Sequence, residues 1–106
     1  MPNYLVKASY SAEGCRGLLK DGGTGRKEAV EGLIDSIGGS VESFYYAFGG
    51  EDLYWICELP SNADLIAMSL AINAAGGARV ETVPLLSLEE MDEAVHKAVS
   101  YRPPGV

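Results

Sequence analysis

Apolar side chains recur along this chain with two different periods, and the switches between them lay out the elements. From Tyr4 to Ser9 they alternate, predicting a strand with Tyr4, Val6 and Ala8 on one side and Leu5, Lys7 and Ser9 on the other. Ser11 to Gly25 mixes polar residues with five glycines and reads as a long loop, holding at most a helical turn near Arg16 to Lys20. From Arg26 to Ile37 the period changes. Val30, Leu33, Ile34 and Ile37 fall at helical spacing, with Gly38 and Gly39 as the stop.

Two runs of aromatic and β-branched residues follow, Ser40 to Phe48 and Asp52 to Leu59, joined by the reversal Gly49-Gly50-Glu51-Asp52, and they predict a hairpin. Pro60 ends the second run because it has no N–H to donate. Ser61 or Asn62 caps a helix striped by Leu65, Met68, Ser69 and Ile72 and closed by Gly76 and Gly77. Ala78 to Leu85 alternates again, with Pro84 tolerable on an edge strand. Ser87 and Glu90 form a capping box opening a last helix that carries Leu88, Met91, Val95 and Val99, with His96 and Lys97 near its end. Residues 101–106 are a tail whose prolines forbid helix.

The order βαββαβ plus a carboxy-terminal helix predicts one α+β domain over residues 1–106, ferredoxin-like, with a four-stranded antiparallel sheet and helices on one face. The other face then needs a cover. With Val6, Ala8, Tyr45, Ala47, Leu53, Trp55, Cys57, Val80 and Thr82 turned to the helices, the bare face carries Leu5, Lys7, Ser9, Phe44, Tyr46, Phe48, Tyr54, Ile56, Glu58, Glu81 and Val83. Half of these are apolar, which predicts a homodimer packed sheet against sheet. A one-residue slip in register would exchange the two sides. Lys7, Tyr46, Tyr54, Glu58 and Glu81 are the candidates for lining a ligand cavity between the sheets; the plainer alternative pairs Lys7 with Glu58 or Glu81 as a structural contact.

Charge narrows the partners. Eight basic against fifteen acidic side chains give −7, which disfavours nucleic acid and anionic lipid. No window approaches the length of a membrane span and no export leader is visible, so a cytoplasmic protein is expected. Cys15 and Cys57 are not expected to pair, and one histidine with two scattered cysteines predicts neither a metal site nor a cofactor. Gly22-Gly23-Thr24-Gly25-Arg26-Lys27 has glycines and two cations suited to an anion at a helix start, but it lacks P-loop spacing and reads more simply as a mobile loop. Cys15 has no base placed beside it, and His96 reads as a surface residue.

Tyr4, Glu13-Gly14, Gly38-Gly39, Gly49, Asp52, Pro60 and Arg79-Val80-Glu81-Thr82 together resemble the GYD-domain proteins of bacteria and archaea, over nearly the whole chain. The resemblance implies a dimeric α+β barrel with ferredoxin-like protomers, and no established activity. Gly49 and Asp52 match the family's naming turn, while its tyrosine is absent here. Asp52 is expected to accept backbone N–H bonds in that turn. Three functions fit: a homodimeric domain binding a small organic ligand between or beside its sheets; a cofactor-independent oxygenase, isomerase or decarboxylase moving a proton through Lys7, Glu58 or Glu81 with Tyr46 and Tyr54 holding the substrate; or a structural assembly module.

Overall fold

A computed structural model describes residues 1–106. The elements are β1 (Asn3–Tyr10), α1 (Ala12–Ser36), β2 (Ser40–Tyr46), β3 (Leu53–Glu58), α2 (Asn62–Ala75), β4 (Ala78–Leu85) and α3 (Leu88–Val95). All strand pairs are antiparallel, in the order β2-β3-β1-β4. This is the expected α+β arrangement, compatible with a ferredoxin-like fold carrying an extra helix.

Alternation sets the inner face of three strands. Tyr4, Val6 and Ala8 of β1, Leu53, Trp55 and Cys57 of β3 and Val80 of β4 are buried, and Val30 and Ile34 of α1 with Leu65 and Met68 of α2 close over them. The α2 cap is Ser61, whose hydroxyl accepts from the Asp64 N–H. β4 is an edge, so Pro84 leaves no ladder bond unmade.

The expectations for α1, β2 and α3 are corrected. The segment Ser11 to Gly25 is not a loop: α1 starts at Ala12, capped by the Ser11 hydroxyl, which accepts from Gly14 N–H at 3.1 Å. The same hydroxyl donates to the carbonyl of Gly76 at 2.7 Å, and the Ser11 N–H donates to that of Gly77 at 3.0 Å. This distant clasp fixes the helix start that five glycines argue against. The glycines still register, because Gly22 leaves helical geometry at φ 74° and splits α1 into segments 12–21 and 23–36. Only the second segment contributes buried residues.

The second correction concerns β2. Val41 pairs with Cys57 but Ser43 pairs with Ile56, so Glu42 is an extra residue, a β-bulge. Beyond it the phase is inverted relative to the expectation: Phe44 lies opposite Trp55 and Tyr46 opposite Leu53, on the helix side, while Tyr45 faces out opposite Tyr54 and is 71% exposed. Phe44 stacks on Trp55 at 6.1 Å and meets Tyr46 edge-on at 5.4 Å. β2 ends at Tyr46, which leaves Phe48 in the exposed turn.

α3 has the predicted box, with Ser87 and Glu90 satisfying each other's backbone donors. It ends at Val95, so His96 is its cap, and Lys97 and Val99 lie beyond it, short of the expected extent. No α3 residue is buried; Leu88 and Val95 are bare. The radius of gyration is 17.0 Å, against about 13 Å for a compact domain of this length.

Candidate functional site

The open side of the sheet is built in rows across β3, β1 and β4. Ile56, Leu5 and Val83 make one apolar row; Tyr54, Lys7 and Glu81 make the next, extended by Tyr45 on β2. Lys7 Nζ lies 3.5 Å from a Glu81 carboxylate oxygen, both side chains partly exposed. Such a pair contributes little to a lone protomer in water.

Of the five candidate residues the structure therefore brings together Lys7, Tyr54 and Glu81. Glu58 sits at the far end of β3, opposite Asn3 and Ser40, four residues and so about 13 Å from Tyr54 along the strand. Tyr46 is on the other side of the sheet, displaced by the Glu42 bulge. None of the cavities of the protomer is lined by Lys7, Tyr54, Glu58 or Glu81.

The hairpin turn is a brace. Asp52 accepts from Tyr10 N–H at 2.8 Å and donates its own N–H to Ala8 at 2.9 Å, while the Ser9 hydroxyl donates to Glu51 at 2.6 Å. Three hydrogen bonds thus pin the reversal to the end of β1. Gly49 lies in the exposed bend with open space around it.

On the helix side, a cleft of about 390 Å³ opens between α1, α2 and the end of β1. A narrower recess of about 80 Å³ continues beneath it toward Leu53 and Trp55. Tyr10, Arg26, Leu33, Ile72 and Ala78 line both, and Glu13 stands in the wall of the outer part. Composition alone singled out Arg26, but as part of a loop before a helix. Tyr10 was overlooked, although the alternation Tyr4, Val6, Ala8 carried one step further turns it inward.

The kink in α1 shapes this cleft. Arg26, one turn past Gly22, reaches back to Asp21 at 3.5 Å, and the Tyr46 hydroxyl donates to the Gly23 carbonyl at 2.9 Å. Burial, with the neighbouring Tyr10 hydroxyl, raises the Tyr46 phenol above its ordinary value, and the Arg26 charge partly opposes this. Arg26 and Tyr10 therefore line the cleft, with Tyr46 bonded to the kink near them.

Cys57 lies deeper, and burial pushes its thiol above the ordinary value, the nearby Trp55 N–H pulling the other way. The core accepts only the neutral thiol. The unfolded chain releases that proton from about pH 8.5, so the stability is intact below that pH and is lost as pH rises through the folded value. Melting temperature followed from pH 8 to 11 is expected to fall, and Cys57→Ala to flatten the first part of the fall. Tyr46, raised in the same sense, keeps the later part.

No helix is long and apolar enough to cross a membrane. The family model described as GYD domain matches residues 4–95. No curated protein matches the chain.

Proposed function

The chain belongs to the GYD-domain family, and from that premise we propose that it works as a homodimer, sheet against sheet, holding a small organic ligand between or beside the two sheets. The observation that carries this reading is the uncovered row Leu5, Ile56 and Val83 with Tyr45 beside it, in a face that α1 and α2 leave alone.

Face-to-face packing gives the polar row a role. Lys7, Glu81 and Tyr54 lie one step along the strands from the apolar row, so a two-fold mate would remove them from bulk water together. An ion pair shielded in this way discriminates between partners by geometry more than it adds affinity. It also leaves an amine, a carboxylate and a phenol available to a ligand lodged between the layers.

Sedimentation velocity at micromolar concentration checks the assembly: a single species of twice the chain mass is expected. A sole 11.2 kDa species would remove the dimer and with it any pocket between sheets.

A further inference from the structure

The geometry points to a second, more specific feature: the cleft between α1 and α2 is a binding site for a small monocarboxylic acid with an apolar body, its carboxylate held by Arg26 and its body in the recess over Trp55. This deepens the ligand-binding reading above by moving the site beside the sheet, inside each protomer.

The shape suits the purpose. A mouth of about 390 Å³ leading to a recess of about 80 Å³ falls in the range of small-molecule sites. The deep wall of the recess is Val30, Leu33, Leu53, Ile72 and Val80 with the Trp55 ring, so it receives hydrocarbon, and its polar lining is confined to Tyr10, Arg26 and the unpartnered Trp55 N–H. The outer part supplies the opposite chemistry.

Arg26 is the only cation lining either space, in a protein of net charge −7. Its present partner, Asp21, is held at 3.5 Å with both side chains more than a third exposed, a loose pair that water already screens. A carboxylate entering the cleft competes for the guanidinium fork with better geometry, since it accepts two parallel N–H bonds. The Tyr10 hydroxyl, in the same wall, is a further donor to it. Glu13, also in the outer wall, repels a second carboxylate, which selects monoacids over diacids. The Gly22 kink is what makes this possible: a straight α1 would carry Arg26 off on a continuous helical path.

The chain has one tryptophan, and it lies in the recess. Titrating the protein with phenylacetate, with its neutral amide and with a dicarboxylate of similar size, while following Trp55 fluorescence, reads the site directly. Phenylacetate is expected to saturate the signal, with the amide and the diacid at least tenfold weaker. Arg26→Gln is expected to weaken phenylacetate about tenfold, the loss of a charged hydrogen-bond partner, without weakening the amide, and Arg26→Lys to recover part of it. Circular dichroism on each variant checks that it is folded.

Lys7→Gln separates the two sites. If phenylacetate binding follows Lys7 and ignores Arg26, the ligand lies between the sheets, and the cleft proposal falls while the earlier reading stands. Equal binding of acid and amide, or no binding, overturns the cleft assignment. Loss with Arg26→Gln that Arg26→Lys partly restores supports it, and an Arg26→Gln protein that binds phenylacetate like the parent overturns it.

Discussion

Gly14→Ala is expected to destabilise the protein by about 1 to 3 kcal/mol or more, lowering the melting temperature by several degrees or more. The added Cβ would stand 1.8 Å from the Gly77 carbonyl oxygen and 2.9 Å from the Tyr10 ring. The oxygen belongs to backbone at the turn into β4, and Ser11 clasps that same turn, so no flexible tip can swing aside. Propensity predicts the reverse sign, because alanine in a helix is worth roughly 0.5 to 1 kcal/mol over glycine. Gly17→Ala supplies the contrast: it lies in the same helical segment with nothing within 4 Å, and is expected to be neutral or mildly stabilising. Thermal melts of the two single variants decide it. Equal shifts would mean that the clasp between α1 and the turn into β4 does not hold.

In the proposed homodimer, Ile56→Glu is expected to leave the protomer folded and to weaken association by about a thousandfold. Ile56 sits in the centre of the open face, opposite Leu5 and Ser43, and its side chain takes no part in the inner core. In a lone protomer a glutamate there stays partly in water. In a sheet-to-sheet dimer two such carboxylates meet near the symmetry axis with no cation in their row, and a cost of about 4 kcal/mol corresponds to that factor. Sedimentation across a concentration series measures it, with circular dichroism as the check on folding. A variant that still dimerises like the parent would place the interface elsewhere, with exposed α3 the next surface to consider.

The parts of the fold legible in the sequence are those whose causes are local. Alternation gave β1, β3 and β4 their inner residues. Ser61 or Asn62 marked the start of α2, the structure using Ser61, and the Ser87–Glu90 box marked α3. α1 was half hidden because its first ten residues are held by carbonyls 65 and 66 positions away, and no local rule sees that. The cleft was harder still. Tyr10, Arg26, Leu33 and Ile72 come from separate segments, and Arg26 acquires its position from a kink. The juxtaposition of Lys7 with Tyr54 and Glu81 on the open face was legible because those strands keep strict alternation. Tyr46 went to the wrong side since nothing in Val41-Glu42-Ser43 announces an extra residue, and Glu58 was grouped with Lys7 by face alone, with no account of distance along the strand.

Glu42 has one more implication. A residue that occupies length in one strand with no counterpart in its neighbour puts counting and orientation out of step for everything after it. When this chain is laid beside a relative that lacks the extra position, an ungapped match through 41–43 would equate a phenol that looks at water with one that looks at oil. The gap belongs inside the strand, where alignment habits resist placing it.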